Sequence, residues 1–426
     1  MTEFTERARI RMYRCGLGDC FLVTLYRRND KPFNLLTDCG MAIGSENADT
    51  RLQSVLGDVL STTGGTVDVL VATHEHWDHL SGFVLAPKQF RELQVGQVWL
   101  PWTEDPKDQT ANRLREERAA ALNALRLRAA RLALDGRLGA AAEVNSILDF
   151  FGAAGDKTTK LALEALRAKT TNIRYCRPTD RPWDPPGVQA RIYVLGPPLD
   201  QTFLMRSTPS RRNADTYGPA MDTLLFEVAP GEVLAAPDSP FGTLHAIPMH
   251  SSQDLPFFKA NYWAADAWRR IDGTWLDSSA ALALQLDNAT NNTCLVLAIE
   301  LEDGDVLLFP GDAQIGSWQS WATLKWTRDG ELERTGPGLL SRTILYKVGH
   351  HGSHNATLRQ AGLELMDRLQ YAMLPVDEAA AHRRGWKRMP EPDLITALER
   401  QSQKGLLRAD IKPPESESDL YYEVFV

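Results

Sequence analysis

Apolar and polar positions change their spacing several times along the chain, and each change predicts an element. Residues 9–13 alternate as a strand does, Gly16-Leu17-Gly18-Asp19-Cys20 interrupts, and residues 21–26 resume a β-rich run, which together predict a hairpin. Residues 33–37 form a further strand pattern that stops at Asp38-Cys39-Gly40. Leu52, Val55, Leu56, Val59 and Leu60 lie at helical spacing, and the β-branched run at 67–72, with Asp68 inside it, follows the breaker pair Gly64-Gly65 and predicts a buried strand. The next strand pattern, residues 95–100, ends at Pro101. Strand, helix, strand, loop, strand in this order predicts a layered α/β architecture.

From about residue 108 to 170 the strand-like alternation stops, and Ala, Leu, Arg and Glu dominate, which predicts a helical insertion. Arg113, Arg115, Arg118, Arg126, Arg128, Arg131 and Arg137 give it a basic surface, which suits a solvated helix face, a phosphate-binding surface or a dimerising helical pair. Strand character returns at 172–177 and 191–195. The stretch 199–283 is irregular, with seven prolines and with Trp263, Trp268 and Trp275; a structureless loop of that length is unusual, so a lid or subdomain is expected. His245 and His250 within it read as local hydrogen-bonding residues. Residues 293–301 and 306–309 predict a hairpin around Asp303-Gly304-Asp305. Strands at 343–348, 371–375 and 421–426 and a helix at 393–401 complete the pattern.

At 426 residues the chain can hold one large or two ordinary domains. No apolar run is long enough to span a bilayer, and the first 14 residues are charged throughout, so a cytoplasmic protein without membrane contact is expected. The five cysteines lack C-x-x-C spacing and read as buried free thiols. A net charge of −8 argues against a large nonspecific nucleic-acid surface, although a carboxylate-rich metal site contributes to it.

Candidate chemistry concentrates in His74-Glu75-His76-Trp77-Asp78-His79, which holds three of the chain's nine histidines directly after a predicted strand. Imidazole and carboxylate are the ligands that zinc and its first-row neighbours accept. Asp38, Asp312 (in Pro310-Gly311-Asp312) and the His350-His351 pair lie at three other predicted strand ends. Asp38 alone before Gly40 would read as a turn-former; beside the histidine cluster it becomes a candidate for orienting a ligand imidazole.

These positions resemble the metallo-β-lactamase-fold hydrolases, whose H-x-H-x-D-H motif matches residues 74–79. Within that superfamily the chain looks most like the hydrolase domain of the DNA-uptake protein ComEC and its soluble relatives. Gly16-Leu17-Gly18-Asp19-Cys20, Thr37-Asp38-Cys39-Gly40, Val194-Leu195-Gly196-Pro197-Pro198, Asn291-Asn292-Thr293-Cys294, Phe309-Pro310-Gly311-Asp312 and Lys347-Val348-Gly349-His350-His351-Gly352-Ser353 resemble that group's motifs in order. The resemblance implies a four-layer αββα fold. Its core would comprise residues 1–107, 171–198 and 284–376, interrupted by the helical insertion (108–170) and the long irregular insertion (199–283), with a C-terminal extension at 377–426.

It also implies two divalent metal ions, zinc or manganese. His74 and His76 would hold one, Asp78, His79 and His351 the other, with Asp312 bridging and Asp38 behind them. His351 is preferred to His350 because Gly352 follows it. Where many members carry a further histidine before the bridging aspartate, this chain has Asn291 and Asn292, so Asn292 is expected to offer a weaker and harder amide ligand, and the site of His74 and His76 to bind loosely or to prefer manganese to zinc. The implied chemistry is hydrolysis by a metal-bound hydroxide oriented by Asp78, with His354 or His350 protonating the leaving group. The leading expectation is a phosphodiesterase or nuclease acting on nucleic acid or a nucleotide. A hydrolase of a small ester, thioester, amide or lactam, and a non-catalytic interaction module with a degenerate metal site, are the alternatives. Basic residues in the cleft would favour phosphate, and an apolar, Trp-lined cleft the small molecule.

Overall fold

The computed structural model describes residues 7–27, 30–134, 136–152, 158–206, 215–217, 252, 254–264, 286–327, 333–412 and 418–426. His245 and His250 lie outside the described residues, as does most of the stretch expected to form a lid.

The described strands are, in chain order, β1 (Ala8–Tyr13), β2 (Phe21–Leu25), β3 (Phe33–Thr37), β4 (Thr66–Val71), β5 (Gln94–Pro101), β6 (Ile173–Cys176), β7 (Ala190–Gly196), β8 (Val296–Leu301), β9 (Val306–Phe309), β10 (Lys325–Trp326), β11 (Arg334–Thr335), β12 (Thr343–Lys347), β13 (Tyr371–Leu374), β14 (Gly405–Arg408) and β15 (Tyr421–Phe425). The first seven helices are α1 (Ala48–Thr63), α2 (Trp77–Leu80), α3 (Gly82–Leu85), α4 (Pro87–Glu92), α5 (Gln109–Leu134), α6 (Leu138–Leu148) and α7 (Thr159–Arg167). The protein is thus mixed α/β.

Thirteen strands form two large sheets, ordered β15-β1-β2-β3-β4-β5-β6 and β14-β13-β12-β9-β8-β7. Each has an antiparallel half and a parallel half: β3 to β6 are parallel in the first sheet, and β14, β13, β12 and β9 in the second. Strand alternation sorts side chains between cores. On β4, Val69 and Val71 join a cluster with Phe21, Leu297, Leu307 and Phe309, drawn from both sheets, whereas Leu70 between them joins Leu52, Val55 and Val59 of α1 and Leu163 and Leu166 of α7. The Phe21 and Phe309 rings meet edge to face at 5.8 Å between centroids. On the second sheet, Ala298, Leu308 and Tyr346 point the other way, to Trp318, Trp321, Leu394 and Leu398 of the helices Ile315–Trp321 and Pro392–Gln401.

The chain separates into two compact units, one comprising Met1–Arg115, Asp149–Ala220 and Asp287–Val426, the other Glu116–Leu148 and Met221–Leu286. The boundaries of the helical insertion are therefore narrower than 108–170: α7 packs in the core of the first unit through Ala162, Leu163 and Leu166. In the second unit Leu125, Ala129 and Leu132 of α5 pack against Ala141, Val144 and Leu148 of α6, while Leu127, Leu134 and Leu138 stay exposed. The segment 377–426 is more than an extension, since β14 and β15 supply the edge strands of the two sheets. All five cysteines are buried and free, as their spacing suggests. No helix among the described residues is long and apolar enough to cross a membrane.

Candidate metal centre

Four parallel strands, β3, β4, β9 and β12, deliver Asp38, the 74–79 segment, Asp312 and His350-His351 at their carboxyl ends, where α/β sheets present ligand sites. One nitrogen or oxygen from each of Asp78, His79, Asp312 and His351 lies within 4.8 Å of the other three, and all four residues are buried. Asp19, Asp38 and His79 form a second such group.

Three imidazoles, those of His79, His351 and His74, are pinned from behind. His79 Nδ1 lies 2.8 Å from Asp38 Oδ2, and its Nε2 lies 3.1 Å from Asp312 Oδ2. Asp38 is itself held by the Thr73 backbone N–H (2.8 Å) and hydroxyl (2.7 Å), which fixes the carboxylate that orients His79. His351 Nδ1 lies 2.7 Å from the Pro375 carbonyl, so it carries the proton, and Nε2 faces Asp78 Oδ2 at 3.0 Å. His74 Nδ1 lies 3.1 Å from Thr73 Oγ1, and its Nε2 lies 2.8 Å from His76 Nδ1. Two imidazoles thus turn nitrogens toward each other beside the four-residue group.

Electrostatics follow this arrangement. Burial lowers the His79 imidazole, but Asp312, Asp19 and Asp38 outweigh it and hold His79 well above its ordinary value. Burial raises Asp312, yet His79 and Lys347 hold it well below the usual carboxylate range. Asp78 is likewise lowered by His79 and His351 against burial. His74 is pushed well down by burial and by its neighbours His79 and His76; His76 falls to about 3 and His350 to about 4, mainly through burial.

The sequence-predicted residues do not all converge. His350 stands outside the four-residue group: its backbone N–H donates to Asp312 Oδ1 at 3.1 Å, and its Nε2 lies 3.4 Å from Asn291 Nδ2. Asn292, expected as an amide ligand, is otherwise engaged. Its Nδ2 donates to the Arg206 carbonyl at 2.7 Å and its Oδ1 accepts the Gln314 N–H at 3.2 Å, so it fastens loops behind the site. The neighbour Asn291 is the amide that faces inward, because a one-residue step at the end of a helical turn changes the direction of the side chain. His354 has Glu391 and Arg388 as its charged neighbours, and burial lowers its imidazole. Arg115 of the insertion is spent on the structure, donating to Asn112, Thr103 and Asp105.

Three site residues escaped the sequence reading as chemistry. Lys347 is buried and donates to the Gly311 carbonyl (2.7 Å) and to Asp312 Oδ1 (3.2 Å), and forms an ion pair with Asp19. Lys347 and Asp19 both lie within the motifs that carry the resemblance, but a pattern of residues does not say that a lysine runs beneath Asp312. The third is Asp287, on the helical turn 286–291, whose signal was its spacing of four from Asn291. Its Oδ2 accepts from Asn291 Nδ2 at 3.2 Å, and burial, Asp78 and Asp312 push its carboxyl well up.

The residues fit divalent cations on two counts. Asp19, Asp38, Asp78, Asp287 and Asp312 are all buried, with one buried ammonium, Lys347, on Asp19 and Asp312, and this excess of acid draws protons onto His79 and His351 where bound cations would otherwise balance it. In addition, His76 Nε2, Asp78 Oδ1, Asp287 Oδ1, Asn291 Oδ1 and His350 Nδ1 are buried with no hydrogen-bond partner.

An aromatic wall stands beside His76. Phe151 meets its ring edge to face at 4.8 Å and Phe150 lies 5.5 Å away, with Trp386 stacked on Phe150 at 5.3 Å. Comparison with known proteins adds no relative: no protein-family model, no curated protein and no solved structure matches the chain.

Proposed function

We propose that the protein is a metal-dependent hydrolase of the four-layer αββα metallo-β-lactamase type, acting on a phosphodiester of nucleic acid or a nucleotide. The observation that carries this reading is the convergence of Asp78, His79, Asp312 and His351, from three strand ends of two sheets, within 4.8 Å. The two sheets sharing one apolar core, with helices on their outer faces, support the fold assignment. Asp78, His79, Asp312 and His351 would hold one divalent ion, and His74 and His76 the other. Zinc or manganese bound there supplies a nucleophile at neutral pH and neutralises charge on a phosphoryl oxygen.

The chain's own residues do the rest. Asp38 and Pro375 orient His79 and His351, and Lys347 fixes Asp312 from beneath. The unpartnered Asp78 Oδ1 can accept a hydrogen bond from an attacking water, and the unpartnered Nδ1 of His350 can carry a proton to or from a leaving oxygen. His350 suits this role better than His354, whose charged neighbours lie on the 388–391 segment.

The aromatic wall of Phe150, Phe151 and Trp386 favours a second reading, hydrolysis of a small ester, thioester, amide or lactam. Metal analysis with turnover of bis-p-nitrophenyl phosphate, p-nitrophenyl acetate and a chromogenic cephalosporin separates the two. Chelator-sensitive turnover of the phosphodiester, restored by manganese, is the expected result. Turnover of only the carboxylic substrates selects the second reading, and absence of both bound metal and turnover points to a non-catalytic module.

A further inference from the structure

Every imidazole of the proposed centre except one has a partner behind it. His79 has Asp38, His351 has the Pro375 carbonyl and His74 has Thr73, each between 2.7 and 3.1 Å. His76 presents Nδ1 to His74 Nε2, while its other nitrogen, Nε2, is buried without a hydrogen bond. The nearest carboxylate oxygen is Asp287 Oδ1, 3.6 Å away and equally unpartnered. His76 is about 1 % exposed and Asp287 about 4 %.

Two buried polar atoms of opposite hydrogen-bonding character face each other just beyond hydrogen-bond distance, and each is costly to leave unsatisfied. Asp287 is also located by a bond of its own, since Asn291, one helical turn on, donates to its Oδ2 at 3.2 Å. Asn291 in turn lies 3.4 Å from His350 Nε2, so the turn 286–291 touches both flanks of the site.

We infer that Asp287 is the positioning residue for His76: it accepts the Nε2 proton, fixes the tautomer whose Nδ1 lone pair points to His74, and so sets the affinity of the metal ion that His74 and His76 would hold. Either protonation state of the carboxyl leaves an oxygen able to accept, so the role needs no particular charge on Asp287. Asp287 thereby does for His76 what Asp38 does for His79, but from a helical turn rather than a strand end. The inference rests on the metal-centre reading above and extends it to a residue outside the motifs.

The test is manganese binding to the full chain, measured by equilibrium dialysis, for wild type, Asp287→Ala, Asp287→Asn and Asp312→Ala, with circular dichroism to verify folding. Selective ¹⁵N-histidine labelling of the zinc-loaded protein reports the His76 tautomer. Wild type is expected to bind two ions. Asp287→Ala should weaken one of them about 10- to 100-fold, the range seen when a partner behind a ligand is removed, and leave the other unchanged. Asp287→Asn, which keeps an accepting oxygen, should recover most of the loss and retain the Nε2–H signal of His76. A merely structural role for Asp287 would not weaken one ion selectively. Unchanged affinities for both ions in a folded Asp287→Ala protein overturn the inference, as does complete loss of one ion in both Asp287 variants, which would make Asp287 a ligand itself. Failure of wild type to bind any ion overturns the metal-centre reading instead.

Discussion

His350 and His351 both occupy left-handed backbone, at φ 42° and 51°, and Gly352 follows at 78°. Such conformations cost non-glycine residues about 1–3 kcal/mol each, and they persist where the surroundings over-determine them. Here the turn sends His351 Nε2 to Asp78 while the His350 N–H donates to Asp312, two contacts that an extended continuation of β12 could not make together. Asp38, at φ 55°, is the third site residue in this region of backbone. Burial and the carboxylates around these histidines also set a pH response in the metal-free protein. His350, lowered to about 4 from 6.5, binds its proton more readily in the unfolded chain, so its contribution to stability is lost as pH falls from about 6.5 toward 4. His76, lowered to about 3, acts in the same direction, whereas His79 and His351, which are raised, contribute below 6.5 and lose that contribution as pH rises. In chelator, the melting temperature of wild type should therefore fall further between pH 7 and 4.5 than that of His350→Gln. A steeper fall in the variant would mean that the His350 imidazole is not lowered in the folded protein.

At the scale of elements, the site depends on how closely two strand-end loops approach. A Cβ on Gly40 would stand 2.4 Å from the backbone carbonyl of Asp78, and the Cys39 N–H donates to the His79 carbonyl at 2.8 Å. The loop after β3 therefore clamps α2 directly, and no flexible side chain lies between them to give way. Gly40→Ala should push α2 outward, destabilising the fold by about 1–3 kcal/mol or more and misplacing Asp78 and His79 together. Urea unfolding and metal stoichiometry measure the two effects. Wild-type stability with full metal content in the variant would show that the approach is looser than the backbone suggests.

For the whole molecule, the centre joins the two sheets. Asp38 and residues 74–79 come from the first, Asp312 and His350-His351 from the second, and the buried Lys347 of β12 reaches Asp19 in the β1–β2 connection. Cations held there, as proposed, would tie the sheets together across their shared core. Ligand that binds only the folded state stabilises it by about 2.7 kcal/mol at one hundred times its Kd. Manganese should accordingly raise the melting temperature by several degrees, and a chelator should return it. Identical melting in both conditions would mean that the carboxylate excess is satisfied without bound cations.

The strands β1 to β5, the β8–β9 hairpin and α1 were legible from alternation and helical spacing, because burial on one or both faces writes its period into the sequence. The strand-end carboxylates and the 74–79 cluster were legible because several metal-capable side chains rarely fall so close together by chance. The tertiary structure decided what adjacency in sequence leaves open: which of His350 and His351 faces Asp78, which of Asn291 and Asn292 turns inward, and that β14 and β15 close the sheet edges. Each depends on a backbone turn or on partners hundreds of residues away. Lys347 beneath Asp312 and Asp287 beside His76 belong to the same class, since the part a buried ionisable group plays is recognised by what surrounds it, and that is set only when the two sheets meet.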